Sequence, residues 1–229
     1  MADRKATGWA TEAATGRAGM IVAMRILITA GPTWEPIDPV RYIGNRSSGR
    51  MGRSLAEAAI GAGHAVTAVM GPVSVALPES VRRIDVETSR QMLDAVLAEW
   101  PGHDLLIMAA AVADYRPKLV RQEKVERGGT LTLELEATED IVAAAGRLKR
   151  PDQRTVGFSL VSMSNLARSV EKLRRKRLDL IVSNPLNTMG DAGVEAVLLW
   201  PDGRTEQLSY RTKGAFADLF IGRAAGLFA

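Results

Sequence analysis

Arg25-Ile-Leu-Ile-Thr-Ala30 runs straight into Gly31-Pro32, and Arg46-Ser-Ser-Gly-Arg-Met-Gly52 opens the next periodic stretch. A short apolar run closed by a glycine–proline break reads as a buried strand. From Gly49 to Gly61 the apolar residues Met51, Leu55, Ala58 and Ala59 return on one face of a helix. The connecting loop, Ala30-Gly-Pro-Thr-Trp-Glu-Pro-Ile-Asp-Pro-Val-Arg-Tyr-Ile-Gly-Asn45, looks like a stretched dinucleotide fingerprint. Gly31 closes the strand, whereas Gly49 and Gly52 open the helix more than a dozen residues later. That spacing fails G-x-G-x-x-G and argues against a simple NAD enzyme. What survives is local physics. Ser47, Ser48 and Gly49 are expected to place hydroxyls and unpaired N–H groups at a helix N-terminus, a natural phosphate cradle.

Working outward, further buried strands are expected at 65–70, 82–86, 105–109, 155–159 and 179–183. Amphipathic helices are expected at 90–100, with Ser89 as cap, at 139–149, and at 164–177. This alternation implies βαβ units and a mostly parallel sheet. Leu131-Thr-Leu-Glu-Leu135 alternates like a strand with one wet face. Two late strands, 194–200 and 206–210, flank Pro201-Asp202-Gly203 as a hairpin, and a last helix runs from about Lys213 to Leu227. The expected fold is α/β, a doubly wound Rossmann-like sheet with a late antiparallel hairpin. Residues 1–23 lack periodicity and read as a disordered extension or a misplaced start, leaving 24–229 as one nucleotide-binding domain.

Composition narrows the chemistry. Of 229 residues none is Cys, which excludes disulfides, thiolate metal sites and a cysteine nucleophile. His64 and His103 are the two histidines, so a multi-histidine metal site is excluded and no metal ligand is assigned. The longest apolar run, Leu105 to Ala113, is nine residues, too short to cross a bilayer, so a soluble cytoplasmic protein is expected. Between Arg147 and Arg177 ten Lys/Arg face only Asp152 and Glu171, a patch suited to an anionic partner such as a nucleotide. With 5% aromatic residues and no recognisable signature, nucleic-acid binding is not expected.

The stretch from Thr29 to Gly52 resembles the N-terminal signature of the phosphopantothenoylcysteine synthetase (phosphopantothenate–cysteine ligase) family. Ala109-Ala-Ala-Val-Ala-Asp-Tyr-Arg-Pro117, Val156-Gly-Phe158, Lys172-Leu-Arg-Arg-Lys176, Asp179-Leu-Ile-Val-Ser-Asn184 and Trp200-Pro-Asp-Gly203 match further segments in order. The resemblance covers about residues 24–228. It implies a ligation of 4′-phosphopantothenate with cysteine through an acyl-cytidylate, with CTP as substrate, Mg2+ assisting, and a homodimer as the assembly. Asn45 matches the asparagine that contacts the acyl-cytidylate, and Asp114 the aspartate that recognises the nucleotide. Lys172 and Lys176 match the pair that reaches the triphosphate, and Asn184 ends the next strand toward the same crevice. Gly31, Ala110 and Phe158 fall in matching segments and are assigned to nucleotide binding with Ser47, Ser48 and Gly49.

The resemblance also implies a mobile flap carrying K-x-K-K, of which Lys124-Val-Glu-Arg127 keeps the first lysine, assigned here as catalytic. Glu126 and Arg127 replace the other two. Ala137-Thr-Glu-Asp-Ile141 stands where the family has K-N-P-D-I, and Val161 where it has a glutamate. Two alternatives therefore stand beside the ligase: a divergent relative binding another nucleotide or acyl substrate, and a non-catalytic nucleotide-binding protein.

Overall fold

The computed structural model describes residues 23–161, 166–185 and 193–228. The expected extension up to residue 22, and Ser162 of the glycine–phenylalanine segment, lie outside the described residues. The first half of the chain runs β1 (Arg25–Ala30), β2 (Trp34–Pro36), β3 (Tyr42–Gly44), α1 (Arg50–Gly61), β4 (Ala65–Met70), β5 (Arg82–Asp85) and α2 (Ser89–Glu99). It continues with β6 (Leu105–Met108), β7 (Tyr115–Pro117), β8 (Leu135–Ala137), α3 (Ile141–Leu148) and β9 (Arg154–Val161). The last part is α4 (Leu166–Arg175), β10 (Leu180–Pro185), β11 (Gly193–Leu199), β12 (Thr205–Thr212) and α5 (Lys213–Ala225).

One sheet of eight strands has the order β12-β11-β10-β9-β6-β1-β4-β5. From β5 to β10 all pairings are parallel, and the β11–β12 hairpin is added antiparallel to β10. The chain builds outward from β1 to β5, then returns to the other side of β1 with β6. That reversal is the topological switch point, where α/β sheets bind ligands beyond the strand carboxyl ends. The expected doubly wound fold is therefore found, including the late hairpin.

Alternation along β1 explains the layers. Ile26 and Ile28 pack with Leu55 and Ala59 of α1 and with Phe216 and Phe220 of α5. Leu27 points to the opposite face, among Met92 and Val96 of α2, Trp100 and Ala145 of α3. Burying each such large side chain contributes roughly 1.5–3 kcal/mol. α1 lies very close to β1 because Gly52 faces Ala30: a Cβ at 52 would sit 2.1 Å from the Ala30 Cβ. Gly203, at φ +89°, makes the hairpin turn after Trp200, as its Pro-Asp-Gly signal predicts.

Three local readings need correction. The cap of α2 is Thr88, not Ser89: Thr88 Oγ1 accepts from the Gln91 N–H, and the Gln91 side chain accepts from the Thr88 N–H in return. The alternating run at 131–135 is strand only at its end, because β8 starts at Leu135 and its partner β7 offers three residues. Beyond the Lys118 N–H bond to the Glu134 carbonyl at 2.9 Å, residues 131–134 are not in a strand, so alternation alone does not make them one. Finally, the stretched loop contains a small antiparallel hairpin, β2–β3, in which Trp34 stacks on Tyr42 with ring centroids 4.2 Å apart.

Candidate functional site

The carboxyl ends of β1 and β6 stay joined after the sheet ends. The Ala109 N–H donates to the Thr29 carbonyl at 3.1 Å, and the Ala111 N–H to the Gly31 carbonyl at 2.8 Å. Ala110 N–H donates to Thr29 Oγ1 at 3.3 Å, and Ala113 N–H to Thr33 Oγ1 at 2.9 Å. Gly31 is required here by its backbone: φ is +80°, and a Cβ would lie 3.1 Å from the Gly71 carbonyl oxygen. Two threonines thus knit the loops on either side of the switch point into one floor, with Gly31 and Ala110 in it.

Asn45, at the end of β3, reaches this floor. Its Nδ2 donates to the Val112 carbonyl at 2.8 Å, so the side chain lies on the 109–117 loop that carries Asp114. Asp114 is exposed, while its carbonyl accepts the Thr138 N–H at 3.0 Å and Thr138 Oγ1 donates to the Ala113 carbonyl at 2.6 Å. Thr138 stands in the segment where the family cation is lost, and here it ties that segment to the floor.

The lysine pair comes from α4. Lys172 turns back onto β9, with Nζ 3.4 Å from both the Phe158 carbonyl and Ser159 Oγ. Burial pushes the Lys172 ammonium below the usual lysine range and neighbouring Lys176 pushes the same way, while Asp140 and Asp114 oppose both. Lys176 lies one helical turn on and makes an ion pair of 2.8 Å with Asp140, the N-cap of α3. The expected pair is therefore brought to the carboxyl edge, facing two carboxylates. Sequence reading missed Asp140 and Ser159. An aspartate directly before an apolar helical run was the available signal for Asp140.

Other predicted residues are placed differently. Gly49 is itself the N-cap of α1, at φ +72°, and no side chain caps the helix. Its N–H is not unpaired, since it donates to Ser47 Oγ at 3.4 Å, and a Cβ here would meet Val75 and Val73 at 3.0 and 3.1 Å. Ser48 is exposed. The cradle is thus a tightly packed turn, its glycine needed first for conformation. Phe158 offers its carbonyl to the site, but its ring packs edge-on against Phe216 and Phe220 in the core. Asn184 does not aim its amide at the crevice: Nδ2 donates to the Glu195 carbonyl of β11 at 2.9 Å, stitching the antiparallel addition to the parallel sheet. Lys124 is exposed on the 118–134 flap and, among the described residues, makes no hydrogen bond or ion pair.

Among the described residues no three His, Asp or Glu side chains come together as a metal site. A cleft of about 650 Å³ over the ends of β4 and β5 is lined by Trp34, Val73, Asp85 and Glu87 and by none of the predicted site residues.

Residues 21–227 match the family model described as the DNA/pantothenate metabolism flavoprotein C-terminal domain. The coenzyme A biosynthesis bifunctional protein CoaBC of Vibrio cholerae serotype O1 is 41% identical over 205 residues, covering 86% of this chain and 51% of that protein. CoaBC of Escherichia coli strain K12 is 42% identical over 188 residues, covering 79% and 46%. The chain thus spans about half the length of the curated relatives it matches. A crystal structure of the C-terminal domain of CoaBC superposes with a TM-score of 0.79 at 36% identity, covering 90% of this chain and 97% of that one. A Cab2 structure in complex with phosphopantothenate-cysteine, at 18% identity and TM-score 0.75, shares the fold. The chain belongs to the DNA/pantothenate metabolism flavoprotein C-terminal domain family.

Proposed function

We propose that this chain joins 4′-phosphopantothenate to cysteine in coenzyme A biosynthesis, using CTP. The observation that carries the reading is the gathering of Asn45, the Asp114 loop, Lys172 and Lys176 at one carboxyl edge of the sheet. The carboxylate of 4′-phosphopantothenate attacks the α-phosphorus of CTP and pyrophosphate leaves. The cysteine amine then attacks the acyl carbon, CMP departs and an amide forms. Lys172 and Lys176 take the triphosphate, exchanging the carboxylates that now face them for phosphate oxygens. Magnesium enters as part of the nucleotide substrate. Asn45 offers a neutral amide donor to the acyl-nucleotide, which holds an oxygen without adding charge. Lys124 supplies charge-assisted contact as negative charge develops, an effect worth a few kcal/mol, or roughly two to three orders of magnitude in rate.

The apolar residues Val40, Tyr42, Tyr115, Leu119 and Leu135 are exposed on the two small sheets and the flap, which supports a homodimer formed through this face. No helix among the described residues is long and apolar enough to cross a membrane. A cytoplasmic location is consistent with a metabolic ligase.

The test is pyrophosphate release from CTP and 4′-phosphopantothenate, followed by addition of cysteine. Release without cysteine, and amide product with it, are the expected outcome. Release with ATP but not CTP, or none with either, would move the chain to another substrate. Asn45→Asp, which sets a carboxylate against the Val112 carbonyl, should slow release at least tenfold.

A further inference from the structure

The 118–134 segment is closed at its base by β7–β8 and by Lys118, whose N–H donates to the Glu134 carbonyl at 2.9 Å and whose Nζ pairs with Glu134 at 2.8 Å. Beyond that base, among the described residues, main-chain groups of the flap are hydrogen-bonded to the body at two places, both on the turn of the β2–β3 hairpin. The Arg121 N–H donates to the Ile37 carbonyl at 3.0 Å. Val125 is held by both of its main-chain polar groups: its N–H donates to Asp38 Oδ2 at 3.1 Å, and its carbonyl accepts from the Arg41 guanidinium at 2.5 Å.

Asp38 organises this contact. It is buried, and its two oxygens accept from the Val40 and Arg41 N–H groups, from the Arg41 guanidinium and from Val125. Removing its charge would leave three N–H donors and a guanidinium aimed at a group that can satisfy only some of them. The same hairpin carries Asn45. Asn45 is four positions after Arg41, a span of at most about 14 Å of extended chain. A flap pinned at Val125 is therefore referenced to the Asn45 amide by three residues of strand, and Lys124 is the residue next to the pin.

We propose that Asp38 is the positioning residue of the flap: through Val125 it holds Lys124 in register with Asn45. This inference rests on the ligase reading for the role of Lys124 and on the hydrogen bonds alone for the pin. Lys124 and Glu126 flank the pinned residue, so both reach outward from a fixed main chain rather than from a free loop. Asp38 contacts no substrate in this scheme; it acts through Val125 and Arg41.

The experiment uses the full chain and two readouts. In Asp38→Asn, the Arg121 and Val125 amide protons, which are bonded to the hairpin, should exchange with deuterium at least tenfold faster than in the parent protein, while those of β1 exchange at parent rates. Pyrophosphate release should lose at least tenfold in kcat with KM for CTP held within about twofold, and Asp38→Glu should recover part of it. Should Asp38→Asn disturb the hairpin itself, seen as faster exchange in β2 and β3, Arg41→Gln provides the exchange test with the Asp38 turn bonds kept. Parent-like flap exchange in both variants overturns the pin. Faster exchange with unchanged kcat overturns the positioning role. A parent protein that releases no pyrophosphate contradicts the ligase reading and the positioning of Lys124 together, whereas the exchange arm still decides the pin.

Discussion

Lys176 Nζ lies 2.8 Å from Asp140, whose carboxylate also accepts the Ala143 N–H at 3.1 Å and so caps α3. One aspartate thus starts a helix and neutralises a lysine of the proposed triphosphate site. A polyphosphate binding there has to draw Lys176 from Asp140.

Asp140→Ala should lower stability by about 1 kcal/mol through loss of the cap, whereas Asp140→Asn keeps an equally good cap and stays within about 0.5 kcal/mol of the parent. Both free Lys176, so both should bind CTP more tightly at low salt, with the gain fading as salt rises. Urea unfolding and calorimetric titration check the two halves separately.

Lys172 is held below the usual lysine range, first by burial and then by Lys176. Its charge is a burden to the folded protein that the unfolded chain does not carry. Lys172→Met should therefore raise Tm, while CTP affinity falls at least tenfold. Thermal unfolding with and without CTP reads both. A variant that is less stable and still binds would show Lys172 to be structural.

Two glycines bounding α1 should respond oppositely. At Gly49, φ is +72° and a Cβ meets Val75 at 3.0 Å, so Gly49→Ala should destabilise by about 1–3 kcal/mol. Gly61 has open space around its Cβ position, and Gly61→Ala should stabilise by about 0.5–1 kcal/mol from reduced unfolded-state freedom. Gly49→Val, which puts a β-branched side chain at the same positive φ, is expected to weaken the fold further. Denaturant midpoints at matched m-values decide it.

His64 is buried, and its Nδ1 accepts the Met24 N–H at 3.2 Å, a role open only to the neutral ring. Burial lowers its pKa in the folded protein. Between that lowered value and about 6.5 the unfolded chain binds a proton that the folded chain rejects, so stability rises with pH there. The contribution of the neutral ring is present above about pH 6.5 and is lost as pH falls toward the folded pKa. The urea midpoint should drop between about pH 7.5 and about pH 5.5, and His64→Gln should flatten that difference.

The sequence by itself determined the alternation of strands and helices, the mostly parallel sheet with its late hairpin, and the edge where chemistry belongs, whereas the strand order came from the tertiary structure. Ile26, Leu27 and Ile28 announce a strand buried on both faces, and Met92 and Val96 mark the apolar stripe of α2, because these signals are local and repeat within a few residues, although the cap itself lies one residue before the expected Ser89. Asn45 and the Lys172–Lys176 pair were legible as motif residues at strand or helix ends. The tertiary structure alone decided what each of them touches. The β2–β3 hairpin has three-residue strands with no alternation to announce them, and its contact with Val125, 84 residues from Arg41, appears only in the folded chain. Asn184 and Phe158 sit in matching motifs, yet the folded chain engages the Asn184 amide on Glu195 and the Phe158 ring in the core. The Asp140 carboxylate reads as an ordinary helix cap until α4 brings Lys176 beside it. Hydrogen bonds, desolvation and ion pairing depend on atoms that are distant in sequence and close in space, so no local pattern records them.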